Sequence, residues 1–297
     1  TASSTGDGGA MTSATINEPY AVAVDAVGNV YVAERSGCRL RRIASNGIVS
    51  TVAGTGTCST SGDGGLATAA TINNVEGVAI GPDGSIYVSE GSGHRVRKIA
   101  TDGTISTFAG TGVAGSSGDG GAATSATISS PRGLAFDASG NLYIATYADS
   151  RVRKVTPAGV ISTILGTGTA GYNGDGLAPA STQINEPRSL DFGPDGSLYV
   201  GEYAGCRVRK LTSGGTVSTV AGTGTCSTTG DGGAATSATL NVVSGVWVDD
   251  VGIVYASTIS GNRVRMVDQA GVISTIFGTG TASSTGDGGA ASSATVS

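Results

Sequence analysis

Three observations predict that this 297-residue chain is an all-β protein built as a β-propeller. A Gly-Asp-Gly loop returns every 56 residues without insertion, which indicates one structural unit copied in tandem. Each copy holds four short segments rich in β-branched residues, separated by tight Gly-centred turns. No stretch shows the 3.6-residue period of an amphipathic helix. Four antiparallel strands per unit, with one long link between units, are typical of a propeller blade.

Charged side chains keep the 56-residue period as faithfully as apolar ones do. The loop aspartates are Asp7, Asp63, Asp119, Asp175, Asp231 and Asp287. The repeated arginines, two per copy, are Arg39, Arg41, Arg95, Arg97, Arg151, Arg153, Arg207, Arg209, Arg263 and Arg265. We expect each aspartate to hold a glycine turn by accepting local backbone N–H groups.

The first copy shows the order of elements. Residues 1–15 lack periodicity and are rich in Gly, Ser and Thr, so they are predicted to be a loop. Ile16 follows as an apolar anchor that pins this loop to the core. Residues 21–25 (AVAVD) and 29–34 (NVYVAE) are predicted strands, joined by a Gly-centred hairpin turn.

The second half of the copy is predicted to add two more strands. Residues 39–43 (RLRRI) form the third strand and residues 48–53 (IVSTVA) form the fourth, with an Asn-Gly turn between them. A sheet this small cannot bury both of its faces alone. Stacked blades cover one another and leave only short edges.

The number of copies leaves the closure of the propeller open. We predict a single propeller over residues 1–297, with five complete repeats that start near 16, 72, 128, 184 and 240. The equivalent loops at 1–15 and 281–297 both carry TASSTGDGGA. A five-blade ring with one loop displaced, an excerpt of a longer protein and a loop that packs on a neighbouring molecule are all compatible with this. Six-bladed closure, with a missing or neighbouring blade, is the alternative fold.

Charge and hydropathy exclude some classes of partner. The net charge of −5 argues against a nucleic-acid partner, which would need a concentrated basic surface. No apolar run approaches the roughly 18 residues of a membrane span. The chain shows no signal peptide and begins inside a repeat, which favours a mature or truncated piece.

The four cysteines predict two disulfides. Cys38 and Cys58 are 20 residues apart, and Cys206 and Cys226 repeat that spacing three periods later. In an up-and-down blade, the turn after the second strand and the exit of the fourth strand lie at the same end, which brings each pair together. Four buried free thiols are the alternative. Disulfides indicate an oxidising compartment, so we expect a secreted, extracellular protein.

The repeat also resembles a known family. The pattern GDGG-x-AT-x-A-x-I, then GN(L/V)Y(I/V)A, R(V/I)RK and ST(V/F)AGTG, is similar to the NHL repeat, and residues 127–168 match best. It is closest to the version with long GDGG loops in bacterial proteins of many repeats, and it is related to the NHL propeller of teneurins. The resemblance covers the whole chain. It implies a propeller, usually of six blades, and no single activity.

No catalytic site is predicted. Some propellers of this family are lyases with metal-binding histidines on the axis, but this chain has only His94, at a position that Cys38 and Cys206 hold in other copies. One imidazole makes neither a histidine-rich zinc site nor a Ser-His-Asp triad. We predict no cofactor, and Ca²⁺ at the loop aspartates is the alternative to their structural role.

The arginine pairs and the hydroxyl-rich loops each have two interpretations. The third strand faces Glu34, Glu90 and Glu202, so ion pairing explains the arginines, and RNA binding on a basic surface is the alternative. The loops TCSTSGDGG and TCSTTGDGG are either bare polar loops or sites of O-glycosylation.

These observations favour a non-catalytic extracellular structural or adhesive module, a protein-binding unit of a head-to-tail assembly or filament. Its expected partner is protein, by self-association through the terminal loops, with glycans as a further class. A ligand-binding or lyase-type propeller, with its site at the mouth of the axial channel, is the alternative function.

Overall fold

A computed structural model describes residues 3–296, and within them the chain folds into five four-stranded antiparallel sheets. The strands of each sheet are adjacent in chain order, as in an up-and-down blade. This confirms the predicted all-β propeller class. We number the sheets blade 1 to blade 5 along the chain.

The chain divides into two compact units, Thr1–Ile144 with Lys154–Ser162, and Ala145–Arg153 with Thr163–Ser297. The division runs through blade 3. Blade 3 comprises β9 (Pro131–Phe136), β10 (Leu142–Thr146), β11 (Arg151–Val155) and β12 (Ile161–Leu165).

The first unit contains blades 1 and 2. Blade 1 comprises β1 (Pro19–Val24), β2 (Val30–Glu34), β3 (Arg39–Ile43) and β4 (Val49–Ala53). Blade 2 comprises β5 (Val75–Ile80), β6 (Ile86–Glu90), β7 (Arg95–Ile99) and β8 (Ile105–Ala109).

The second unit contains blades 4 and 5. Blade 4 comprises β13 (Pro187–Phe192), β14 (Leu198–Glu202), β15 (Arg207–Leu211) and β16 (Val217–Ala221). Blade 5 comprises β17 (Val243–Val248), β18 (Val254–Thr258), β19 (Arg263–Val267) and β20 (Ile273–Phe277).

The strand bounds differ from the sequence prediction mainly at the first strand. It begins at Pro19, because Pro19 pairs with Glu34 and the register then shifts before Ala21. A proline at the first position of a strand is tolerated, since it removes no ladder hydrogen bond from the interior. The linkers are also more ordered than expected. Short 3-10 turns occur at Met11–Ser13, Ala67–Ala69, Ala123–Ser125, Tyr147–Asp149, Pro179–Ser181, Ala235–Ser237 and Ala291–Ser293.

No helix among residues 3–296 is long and apolar enough to span a bilayer. The seven 3-10 turns are three residues each. Those in the linkers close with a backbone hydrogen bond, such as the Ala14 N–H donated to the Met11 carbonyl.

The core of the first unit lies between successive blades. Tyr31 and Leu40 of blade 1 pack with Val78 and Val88 of blade 2 in one buried cluster. In such a contact, we call the face of the earlier blade in the chain its trailing face, and the face of the later blade its leading face. Within the second unit, Val208 of blade 4 packs in the same way with Val246 of blade 5.

The leading face of blade 1 departs from this pattern. Val22 is 63% exposed, whereas Val78, one period later, is 7% exposed. Val24 is also exposed. The same side chain in the same strand position is therefore core in one blade and surface in another.

We predict that Val78→Ala lowers the free energy of unfolding by about 2 kcal/mol, because it removes buried methyl groups and leaves a cavity. The matched change Val22→Ala should shift it by at most ~0.5 kcal/mol. Urea denaturation followed by circular dichroism measures both. Equal losses for the two variants would contradict the different burial of the two valines.

Candidate functional site: linker loops and uncovered blade faces

Each linker loop is hydrogen-bonded to both of the blades that it joins. After blade 1, Arg39 of that blade donates to the Thr55 carbonyl at 2.8 Å. Within the loop, the N–H groups of Gly54 and Thr55 donate to the carbonyls of Ala67 and Ala70, at 3.0 and 3.1 Å. The same loop pairs with the last strand of blade 2, since the Gly64 N–H donates to the Ile105 carbonyl at 2.8 Å. The loop is therefore a clasp between consecutive blades.

A charged contact fixes the loop on the following blade. In blade 2, Arg97 lies 2.6 Å from the Asp63 carboxylate, and the Thr107 hydroxyl donates to the other oxygen of Asp63 at 2.6 Å. We call this Asp-Arg-Thr contact the loop latch. It recurs as Asp7-Arg41-Thr51, Asp175-Arg209-Thr219 and Asp231-Arg265-Thr275.

The latch arginines are completely buried and also approach a second carboxylate. Arg41 lies 3.5 Å from Glu34, Arg97 lies 3.4 Å from Glu90, and Arg209 lies 3.5 Å from Glu202. A buried charge is costly unless it is paired, so the two acids offset the desolvation of the guanidinium. Thr146 and Thr258 stand in place of the glutamate in blades 3 and 5.

Burial dominates the titration of two of these glutamates. It raises the pKa of Glu90 to about 7, although Arg97 and the Thr60 hydroxyl oppose the shift. It raises the pKa of Glu202 to about 8, against the opposing charge of Arg209. These two carboxyl groups hold their protons more tightly in the folded state than in the unfolded chain. At a pH above their folded-state pKa, the folded state must bury them as charged carboxylates, which is unfavourable.

In the loop latch, the repeated aspartates contact residues that are far away in the sequence, whereas the sequence analysis expects them to bond only to their own turn. Their carboxylates accept hydrogen bonds from an arginine and a threonine of the next blade rather than holding only their own turn. In blade 1, Arg41 donates to one carboxylate oxygen of Asp7 and the Thr51 hydroxyl donates to the other. Calcium binding at these aspartates stays the untested alternative to their structural role.

The outer arginine of each pair has a different role from the inner one. Arg39 donates to the Thr55 carbonyl at 2.8 Å, and Arg95, Arg207 and Arg263 make the equivalent bond. The guanidinium lies against Gly56, where an added Cβ would come within 2.4 Å of it. The inner arginines therefore form the predicted ion pairs, whereas these outer arginines donate hydrogen bonds to backbone carbonyls of the linker.

Two disulfides join the second turn of a blade to its exit loop. Cys38 is bonded to Cys58 and Cys206 to Cys226, as the sequence predicts, and no free cysteine is found in the described residues. In blade 2 the equivalent residue is His94, whose Nδ1 accepts the Ser130 N–H at 3.1 Å. The single histidine thus fills a structural position.

Sequence reasoning missed two polar clusters, one in each unit. In the first unit, Glu76 is buried between Arg35 and Arg132, at 3.2 and 2.7 Å. In the second, the Tyr147 hydroxyl donates to Glu186 at 2.6 Å. The residue type at these positions differs from blade to blade, so a search for residues that repeat every 56 positions does not find them. Their departure from the repeat pattern was the available signal.

The uncovered blade faces were also missed. Trp247, on the trailing side of blade 5, is 57% exposed and packs on Tyr255 with ring centroids 5.1 Å apart. Its equivalents Ala79 and Ala135 are buried alanines. The replacement of a small residue by the only tryptophan of the chain is the signal that could have found this surface.

Residues 3–296 contain no group of three or more His, Cys, Asp or Glu side chains placed to hold a metal ion. The features that the described residues bring together are the loop latches, the disulfides, the two polar clusters and the uncovered faces.

Comparison with known proteins finds a similarity to the teneurin NHL domain. A family model described as the Teneurin NHL domain matches residues 112–173 and 217–296. Teneurin-4 of Homo sapiens is 30% identical over 236 residues, which cover 69% of this chain and 8% of that protein. Teneurin-1 of Mus musculus is 30% identical over 238 residues with the same coverage. The chain thus spans only 8% of the length of these relatives.

Solved structures support the fold alone. Virginiamycin B lyase from Staphylococcus aureus superposes with a TM-score of 0.56 at 16% identity, over 86% of this chain and 69% of the lyase chain. A chain of the nidogen/laminin complex gives 0.57 at 15% identity, over 85% of this chain and 76% of that one.

We predict that stability falls between pH 5 and pH 9. The folded-state pKa of Glu90, about 7, lies above its ordinary 4.5, so the folded state binds the proton more tightly in that interval. Stability from this group is therefore complete below about pH 4.5 and is lost as the pH rises to 7, by about 3 kcal/mol. Glu202 should extend the loss to about pH 8.

Urea denaturation at pH 5 and pH 9 measures this slope. Glu90→Gln should flatten it, because the neutral amide has no proton to lose. The exposed Glu18, whose pKa its hydrogen bond from Ser36 lowers, provides the control Glu18→Gln, which should leave the alkaline loss intact. A wild-type protein that gains stability toward pH 9 would refute the assignment.

Removal of one disulfide should cost about 3 kcal/mol, because each bond closes a loop with a sequence separation of 20. The double variant Cys38→Ser/Cys58→Ser tests this by urea denaturation. Reduction of the wild type should lower stability further, whereas a variant that lacks all four cysteines should not respond to reductant. A response of that variant would show that the reductant acts elsewhere.

Proposed function

The chain carries NHL-type β-propeller repeats related to the teneurin NHL domain, and from that premise we propose a non-catalytic extracellular structural or adhesive module that associates head to tail with its own copies. The observation that carries the proposal is the apolar leading face of blade 1. Val22 and Val24 are exposed there, although the strand position of Val22 is core in the other blades.

Blade 5 offers a matching surface. Trp247 is exposed on the trailing side of blade 5, and Val264, Phe277 and Val296 are only partly buried. Their equivalents Leu40, Ala53 and Ile72 are completely buried in the contact between blades 1 and 2. The internal contact is therefore a template for one between blade 5 of one copy and blade 1 of the next.

Burial favours this contact energetically. Covering a valine side chain completely contributes about 1.5 kcal/mol or more, and an aromatic ring contributes more. An exposed apolar surface of this kind is typical of protein interaction sites. A heterologous contact that does not close into a ring continues into a filament.

The two disulfides support an extracellular location, because such bonds persist in oxidising compartments. The engagement of His94 with the Ser130 N–H supports a non-catalytic role. O-glycosylation of the hydroxyl-rich linkers remains a prediction, to be tested by the mass of the native protein.

A ligand-binding or lyase-type propeller is the second candidate. The polar cluster around Tyr147, Glu186 and Arg188 favours it, and a structural neighbour is a lyase studied with quinupristin. Tyr147 is already hydrogen-bonded to Glu186, which supports a structural role for these groups instead. Incubation with quinupristin followed by mass spectrometry tests this candidate, and unchanged quinupristin would count against it.

We expect wild-type protein to form concentration-dependent oligomers in sedimentation velocity and short filaments in negative-stain electron microscopy. Val22→Lys should weaken association at least ~10-fold, because the contact would then bury an unpaired ammonium group. Val27→Lys is the matched control, since Val27 is exposed at a hairpin tip outside the face. A wild type that stays monomeric at millimolar concentration would refute the proposal.

A further inference from the structure

The two terminal loops hold complementary halves of one blade junction. In an internal junction, the loop bonds to the blade before it and the blade after it. Within residues 3–296, the loop after blade 5 makes only the first half: Arg263 of blade 5 donates to the Thr279 carbonyl at 2.7 Å. Inside the loop, the Gly278 and Thr279 N–H groups donate to Ala291 and Ala294 at 3.1 and 3.0 Å. These bonds match those that Gly54 and Thr55 make after blade 1.

The N-terminal loop makes only the second half. The Gly8 N–H donates to the Val49 carbonyl at 2.8 Å, and the Met11 N–H donates to the Gly47 carbonyl at 2.9 Å. Asp7 completes the loop latch with Arg41 at 2.8 Å. This loop thus covers the fourth strand of blade 1 as an internal linker would.

The C-terminal loop repeats the sequence that makes this second half. Residues 281–290 are identical to residues 1–10. Asp287, the equivalent of Asp7, is exposed, and it has no hydrogen-bond or ion-pair partner within residues 3–296. The latch carboxylate of this loop is present without the arginine that it meets in the internal junctions.

We propose that the head-to-tail contact is a loop exchange, in which residues 281–296 of one copy displace residues 3–15 of a second copy. Asp287 then binds Arg41 and Thr51 of that second copy in place of Asp7. This inference rests on the proposed self-association and supplies its mechanism. It commits to a second copy of this chain as the occupant of the leading face of blade 1.

The exchange is nearly neutral within the loop, because residues 283–290 are identical to the residues 3–10 that they replace on the same strand. The net gain comes from the faces. A displaced N-terminal loop covers only the fourth strand, whereas the incoming loop brings Trp247 and its neighbours on blade 5 against Val22 and Val24. Exchange of identical segments between copies is a low-cost route to assembly.

Two isosteric variants test the exchange with opposite expected signs. Asp287→Asn should weaken association about tenfold, since it removes the charge of the incoming latch. Asp7→Asn should strengthen association by a similar factor, because it loosens only the loop that is displaced. Sedimentation velocity measures both. Equal effects of the two variants, or none from Asp287→Asn, would overturn the exchange.

A cysteine pair reports the exchange directly. Ala10 and Ile48 form an isolated antiparallel bridge, so their Cα separation suits a disulfide. Ala290→Cys with Ile48→Cys should therefore give a ladder of covalent oligomers on non-reducing gels. Ala10→Cys with Ile48→Cys is the matched control and should give a cross-linked monomer.

The outcomes separate the exchange from the association itself. If the wild type associates but the Ala290→Cys/Ile48→Cys variant gives no intermolecular cross-link, the exchange is refuted and face-to-face association stands. If that variant cross-links only within one chain, the loop closes on its own molecule and the exchange between copies is refuted. If the wild type does not associate, both proposals fall.

Discussion

A four-stranded sheet has two faces, and each blade of this protein depends on a neighbour to cover them. Aromatic residues are only 5% of the chain, so small aliphatic side chains from two blades must interlock to make a core. Tyr31, Leu40, Val78 and Val88 do so between blades 1 and 2. Stability is thus a property of blade pairs, as in other repeat proteins. The same dependence leaves apolar side chains exposed where a blade face has no neighbour, as at Val22.

The loop latch complements this apolar contact. A linker rich in glycine has a large conformational entropy to lose, and backbone hydrogen bonds alone give it little specificity. The buried arginine of the following blade supplies a fixed charge that pairs with the loop aspartate and with a glutamate of its own blade. Each linker therefore has one register on its blade.

Sequence analysis predicted the strands well and the side-chain partners less well. The third strand begins and ends at the predicted residues, Arg39 and Ile43, because alternation and turn residues are local signals. The cysteine pairs followed from spacing and strand order. Asp7 was expected to bond its own turn, but its arginine lies 34 residues away along the chain. No local pattern reports a partner at that separation.

The 56-residue period alone establishes the number of repeats, the strand order within each and the chemical likeness of the two terminal loops. Only the folded structure distinguishes the burial of Val22 from that of Val78, since the two valines hold the same position of the repeat and have opposite exposure. The physical reason is that burial depends on what packs against a face, and packing between blades joins residues that are distant in the chain. A repeated sequence describes every copy as equivalent, and tertiary contacts make the end copies different.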